Sequence, residues 1–305
     1  MNPSPISLSP ISLSLGPLYF NWPSSQLLDF YARIADECPV ERVYLGEIVC
    51  GKRGPLTQAA IASAADRLER AGKTVIWSTL ISPVNRRERR LTEELVRDGE
   101  QVELNDFGGL ASRGGRAFTA GPFLNVYNED TALMLKDMGC TRWCPPVELS
   151  LQAISTIAEV CPGLEIELFG FGRLPLAHSG RCYHARQHKL NRDSCRYVCE
   201  QDPDGCRVST LDGTGFLAFN GVQTLSDGLQ LCTETPDALR AAGISALRLS
   251  PHSVGMVEVA SAMRGFLDGT TDAAEMVETV RASTLPLPLV NGYLAGKAGR
   301  EWTMK

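Results

Sequence analysis

No stretch of this 305-residue chain reaches the roughly 18 consecutive apolar residues that would suggest a membrane span. Positive charge is not in excess either: 30 Lys and Arg stand against 35 Asp and Glu, a net charge of −5. That balance argues against an electrostatically driven nucleic-acid binder, and no nucleic-acid partner is expected. The nearest approach to a basic patch, Lys52, Arg53, Arg86, Arg87, Arg89 and Arg90, reads as helix starts and a solvated face. No Gly-rich phosphate loop follows the first apolar run, which weakens a doubly wound open sheet. Neither H-E-x-x-H nor G-x-S-x-G occurs, so no protease mechanism is visible. The C-x2-C pairs of zinc ribbons and the C-x3-C-x2-C run of radical S-adenosylmethionine enzymes are missing as well.

The opening MNPSPISLSPISLSL repeats SPISLS and carries no basic n-region, sustained apolar run or small-residue cleavage site. Residues 1–14 are therefore expected to form a flexible tail, and the protein is expected in the cytoplasm. Thiols stay reduced there and disulfides are rare. This matters because the chain holds ten cysteines.

What is present is a regular alternation. Eight short apolar runs, beginning LGPLYFNW, ERVYLGE, KTVIWSTL and QVELND, each lead into a helical pattern. A single insertion of roughly sixty residues follows the seventh run. The pattern is that of an α/β fold, a (β/α)8 TIM-barrel-like domain over residues 15–305, with 174–234 as a cysteine-rich insertion after the seventh strand. Within that insertion, GFLAFNGVQTL reads as a hairpin about Asn220-Gly221.

In a barrel the chemistry sits at the C-terminal ends of the strands. Those ends supply Asn21, Glu47, Ser78, Asn105, Asp106, Asn125, Glu148, Arg173 and Ser250. Glu47, Asp106 and Glu148 are acid/base candidates by position. Asn105 and Asn125 are candidates for substrate contact, and Arg173 and Arg181 could hold a donor carboxylate.

The insertion is too polar to fold on its own apolar content, so disulfides, zinc or an iron–sulfur cluster must hold it. Cys182, Cys195 and Cys199 stand as C-x12-C-x3-C, and Cys206 follows. Cys38, Cys140, Cys144 and Cys161 lie in apolar patterns and read as packing; Cys232 is ambiguous. Cys50 stands three residues beyond Glu47, on the loop leaving the second strand. With Cys182, Cys195 and Cys199 it makes four thiolates on one face, the number that a 4Fe-4S cluster or an all-thiolate zinc site needs. Zinc held by Cys182, His184, His188 and another cysteine also fits the residue types.

Several runs resemble the UbiV family of the collagenase-like peptidase superfamily: YLGEIVCGKR, ELNDFGG, LNVYN, RWCPPVELS, GRLPLAHSGRC, the C-x3-C at Cys195 and Cys199, FNGVQTLS and RLSP. The resemblance implies a barrel-like fold with a 4Fe-4S cluster on Cys50, Cys182, Cys195 and Cys199. It implies a hydroxylase of the ubiquinone ring that works without oxygen, as a heterodimer with a UbiU-like sister subunit. A ubiquinone precursor presented by a lipid-carrier protein would be the substrate, and prephenate the oxygen source. Wider relatives hydroxylate RNA bases, so an RNA-modifying or peptidase-like protein with a structural metal is the alternative.

Overall fold

The structure is a computed structural model and describes residues 10–304. Eight strands form a closed parallel barrel in the order of the chain: β1 (Ser12–Leu15), β2 (Arg42–Leu45), β3 (Thr74–Ser78), β4 (Val102–Leu104), β5 (Phe118–Ala120), β6 (Cys140–Trp143), β7 (Glu165–His178) and β11 (Ile244–Leu249), the last pairing with both β1 and β7. Helices α1 (Ser24–Glu37), α2 (Gly54–Arg70), α3 (Arg86–Asp98), α4 (Leu110–Arg113), α5 (Glu129–Asp137), α6 (Leu151–Val160), α8 (Pro236–Ala241) and α9 (Met256–Leu267) wrap the strands. The expected barrel is therefore present. A further helix, α10 (Ala273–Ser283), and a short strand, β12 (Leu289–Val290), follow it.

The expected tail needs correction at its end. Ser12 to Ser14 belong to β1, paired in parallel with β11 and β2, while residues 1–9 lie outside the described residues. The second copy of the SPISLS repeat alternates with period two. Ile11, Leu13 and Leu15 are buried among the surrounding hydrophobics, and Ser14 faces Glu167 across the barrel. Low complexity hid a strand whose apolar half is ordinary.

Local signals set the helix starts. Asn85 accepts from the amide of Glu88 at 2.9 Å while the Glu88 carboxylate accepts from Val84 N at 2.8 Å, a reciprocal cap for α3. The side chains of Asn128, Ser150 and Asp272 cap α5, α6 and α10 by accepting from the amides of Thr131, Ala153 and Glu275. Pro23 holds the N-cap position of α1, which has no side-chain cap.

The barrel interior is charged. Arg248 on β11 reaches Glu103 on β4 at 2.6 Å and Glu167 on β7 at 3.2 Å, and its guanidinium lies 4.0 Å from the ring centroid of Tyr44. Ser14 and Tyr44 donate to Glu167, and Ser78 donates to Glu103 at 2.7 Å. All six side chains are buried. Burial alone would raise the Glu167 carboxyl, but Arg248 and Arg142 more than offset it and hold it down at about 2.

The insertion grows out of β7, which is 14 residues long. Its first half stays in the barrel. Its second half pairs antiparallel with β10 (Gln223–Leu231), which turns back from β9 (Gly215–Asn220), itself paired with β8 (Cys206–Ser209). The hairpin expected about Asn220-Gly221 is formed with its turn one residue on, at Gly221-Val222, because Asn220 pairs with Gln223. The short helix α7 (Tyr183–Gln187) and the cysteine loops fill the space between β7 and β8.

Candidate metal centre

Two loops meet above the barrel. The loop after β2 turns at Glu47, whose carboxylate accepts from Val49 N at 2.8 Å and Cys50 N at 2.9 Å. It is tied to the insertion by Lys52, whose Nζ donates to Arg192 O at 2.6 Å and lies 3.8 Å from Cys195 Sγ. His178 Nε2 sits 3.1 Å from Val49 O and tethers the same loop to β7. Cys50, Cys182, Cys195 and Cys199 line one small cavity.

The segment carrying three of these thiols is bent hard. Lys189, Arg196 and Tyr197 have φ of 56°, 51° and 55°, a left-handed backbone that non-glycine residues seldom adopt. Such conformations persist where the surroundings over-determine them and are frequent around ligand sites. The end of the β9–β10 hairpin, at Asn220 and Gly221, closes the far side. Asn220 Oδ1 accepts from Arg53 Nη2 at 2.6 Å, and Asn220 Nδ2 donates to Cys199 O at 3.0 Å. A Cβ at Gly221 would stand 2.5 Å from Arg53 Nη2, so this close approach requires glycine.

Electrostatics around the cavity run one way. Lys52, Arg53 and Arg192 line it, and no Asp or Glu does. Burial pushes the Cys50, Cys182 and Cys199 thiols up, and Arg53 pulls each back towards the thiolate. Arg53 Nε and Asn21 Nδ2 are buried donors without an oxygen or nitrogen partner among the described residues, and both side chains lie beside Cys199. Such orphans are expensive unless something accepts from them, and a thiolate or an inorganic sulfide would. No group of three or more Cys, His, Asp or Glu that could hold a metal ion stands ready-made among the described residues. What the fold offers is four soft donors around one cationic cavity, a donor set that fits a thiolate-ligated iron–sulfur centre.

Comparison with known proteins places this architecture. The profile of peptidase family U32 matches residues 24–303. The chain belongs to peptidase family U32. Among its relatives is tRNA hydroxylation protein P of Helicobacter pylori, 32% identical over 138 residues, covering 41% of this chain and 32% of that protein. The protein of the same name from Escherichia coli is 36% identical over 78 residues, 25% of this chain and 17% of that one. The chain thus spans at most about a third of the length of the curated relatives it matches. A solved structure of an uncharacterized protein from Clostridium thermocellum aligns over 85% of this chain and 95% of its own with a TM-score of 0.41 at 11% identity, a likeness too slight to carry an argument.

For this U32 protein, the other candidate residues divide by what already holds them. Arg173 is buried, and its guanidinium donates to the carbonyls of Asp204, Ser226 and Asp227 at 2.9, 2.6 and 2.7 Å. It ties β7 to β10 and to the loop at Asp204, and has little left for a donor carboxylate. Asn125 has φ 54° and ends a short 3-10 turn, and Asp106 caps another by accepting from Gly108 N at 2.8 Å. Glu148 is exposed and meets Tyr127 Oη at 3.4 Å. Asn105 is buried against Thr79 and Glu103, with its Oδ1 free of a partner among the described residues. Arg181 is exposed at the rim. Burial raises the Glu47 carboxyl against the pull of Arg53, 4.0 Å away.

The mixed zinc set does not assemble as placed. His184 has both ring nitrogens engaged, Nε2 with Asp202 Oδ2 at 2.8 Å and Nδ1 accepting from Gly221 N at 3.0 Å, and His188 is exposed. Cys206 lies outside the cavity lining, 3.6 Å from Gln187 Oε1. Cys38, Cys140, Cys144, Cys161 and Cys232 are buried, the first four as their apolar context indicated. The reading of Arg53 as a solvated basic residue fails: it is 1% exposed and braces both loops. Its signal was its place, three residues after Cys50.

Proposed function

We propose that this chain is the iron–sulfur subunit of an oxygen-independent hydroxylase acting on the ubiquinone ring, as in the UbiV family, with a UbiU-like sister subunit. A 4Fe-4S cluster would be held by Cys50, Cys182, Cys195 and Cys199. The observation that carries the reading is the meeting of those four thiols in one cavity lined by cations and flanked by two orphaned N–H donors. When bound, the cluster would supply a redox-active centre near the barrel mouth. Ring hydroxylation without O2 oxidises the ring, so the oxygen donor, with prephenate the candidate, must be reduced to match.

The chain's own residues would do the positioning. Glu47 presents Cys50 by gathering the two amides before and at it. Arg53, Lys52 and Arg192 offset the charge of four thiolates. The second reading, hydroxylation of an RNA base, is favoured by the name of the matching relatives and disfavoured by the net charge of −5.

The test is anaerobic purification with and without the sister subunit, followed by iron, sulfide and zinc analysis and a visible spectrum. About four iron and four sulfide per chain are expected, lost in each of Cys50→Ala, Cys182→Ala, Cys195→Ala and Cys199→Ala and kept in Cys38→Ala and Cys206→Ala. Stoichiometric zinc, or iron that survives Cys50→Ala but not Cys206→Ala, would overturn the assignment. Tight binding of transfer RNA by the complex would move the substrate to the second reading.

A further inference from the structure

The four thiols of the cavity are not held alike. Cys199 is buried, whereas Cys50, Cys182 and Cys195 are partly exposed. The neighbours of Cys199 come from three separate elements. The chain after β1 runs alongside the end of the cysteine segment, where Trp22 Nε1 donates to Pro203 O at 2.6 Å. Arg53, beyond β2, donates to Tyr19 O at 3.3 Å and to Asn220 Oδ1 at 2.6 Å. From the β9–β10 hairpin, Asn220 Nδ2 donates to the carbonyls of Cys199 and Asp202 at 3.0 and 2.9 Å. Asn21 and Arg53 are 2% and 1% exposed, and both side chains are within hydrogen-bonding reach of the Cys199 thiol. Neither Asn21 Nδ2 nor Arg53 Nε has an oxygen or nitrogen partner among the described residues.

Cys195 is the contrast. The side chain beside it is Lys52, half-buried, with Nζ 3.8 Å from Sγ and already donating to the carbonyls of Arg192 and Asp193. A point charge next to a partly exposed sulfur is screened by water and salt. Asn21 and Arg53 act from positions that water does not reach. Donors to a ligand sulfur, together with solvent exposure, set the potential of an iron–sulfur centre. In a site of low local dielectric such bonds are at their strongest.

We propose that Asn21 and Arg53 set the reduction potential of the cluster, by donating N–H groups to the Cys199 sulfur from the loops that leave β1 and β2. This rests on the cluster reading of the cavity and goes beyond it: the four ligands would be equal in holding iron and unequal in tuning it. The change concerned is one electron gained from a one-electron donor, with no bond made or broken. Reduction adds one negative charge to a centre already ringed by thiolates. Both donors favour the more negative form, so both raise the potential. Through Cys199, two residues that belong to the barrel's own loops act on the metal of the cap.

The test is a redox titration of the full chain, purified anaerobically, with reduced viologen as the one-electron donor and the visible spectrum as readout. Asn21→Leu keeps the volume and removes the N–H. It should lower the ratio of reduced to oxidised cluster at a fixed potential about tenfold, or about 59 mV for one electron. Arg53→Lys keeps the charge, removes the guanidinium Nε and should shift the ratio in the same direction. Lys52→Met should shift it about threefold at low salt and not at all in about 0.5 M salt, whereas the Asn21→Leu shift persists there. Melting temperature and iron content are read on the same samples, since a merely structural role would move those and leave the potential alone. Asn21→Leu with the parent's iron content and the parent's potential overturns the proposal, and so does a shift in that variant that salt abolishes. If Arg53→Lys fails to retain iron, Asn21→Leu decides alone. A parent without iron and sulfide sinks the cluster reading and this proposal with it, whereas a loaded parent whose variants keep its potential sinks this proposal only.

Discussion

The barrel interior and the cysteine-rich cap above it both bury charge, and they do so in opposite ways. In the barrel, Arg248 is met by Glu103 and Glu167, and the remaining carboxylate oxygens are taken up by Ser14, Tyr44 and Ser78. In the cap, Arg53 Nε and Asn21 Nδ2 have no oxygen or nitrogen partner among the described residues and face Cys199, and burial pushes three of the four thiols towards neutrality. A network closed on itself is a device for holding strands together. One left open, with donors and soft ligands facing one space, is built to be completed by something else. The difference separates what the chain needs in order to fold from what it needs in order to act.

The comparison breaks most visibly in the barrel. Arg248→Met leaves two buried carboxylates without their common cation, and loss of one partner of a buried pair costs about 3–5 kcal/mol. For a domain of this size the melting temperature should fall by roughly 10 °C, and the variant should recover partly when Glu103→Gln and Glu167→Gln are added. A melting temperature within a degree or two of the parent would show that the network is not structural. In the cap, Arg53→Met should cost less, about 2 kcal/mol for its charged hydrogen bonds. It should act locally instead, raising amide exchange at residues 49–53 and 195–221 and lowering the iron retained after desalting. Unchanged exchange in both segments would detach Arg53 from the cap.

Much of the barrel was legible because strand periodicity and helix signals are local. β2, β3 and β4 fall inside the runs that their apolar residues mark out, and the hairpin signalled by Asn220-Gly221 forms with its turn one residue on, at Gly221-Val222. β1 was missed because a repeat of Ser, Pro, Ile and Leu looks like low complexity, although its alternation was there to be read. The charged core was missed for a different reason. Glu103, Glu167 and Arg248 each sit singly between apolar neighbours, as V-E-L, I-E-L and L-R-L, and their pairing exists only once the barrel closes. The cysteines are similar in kind: C-x12-C-x3-C is visible in one segment, but Cys50 joins it only through the shared face of the fold. Arg173 shows the converse, since a strand-end position suggested a ligand contact while its guanidinium is taken up by backbone carbonyls.

The effect of narrowest reach, absent at neutral pH, lies where cap and barrel join. His252 follows β11, is fully buried between Phe20 and Phe171, and has no partner for its Nε2 among the described residues. Burial is the main influence on it, opposed by Asp204 and reinforced by Arg173, and its imidazole is pushed down to about 4 from 6.5. A depressed histidine is neutral in the folded protein and charged in the unfolded chain at intermediate pH. The unfolded state then binds more protons, and stability falls as pH drops from 6.5 through 4. Glu167, held at about 2 against a usual 4.5, adds a second decline below it. Acid should therefore act in two stages, the junction first and the barrel interior second, each worth up to about 3 kcal/mol. His252→Asn should flatten the melting temperature between pH 6.5 and 4 while leaving the steeper loss below pH 4 in place. Asp204 binds Ser253 beside it, so exchange at residues 250–255 is the local readout. If the variant declines over the upper window as the parent does, His252 is not the group that senses it, and the first stage belongs to the cap itself.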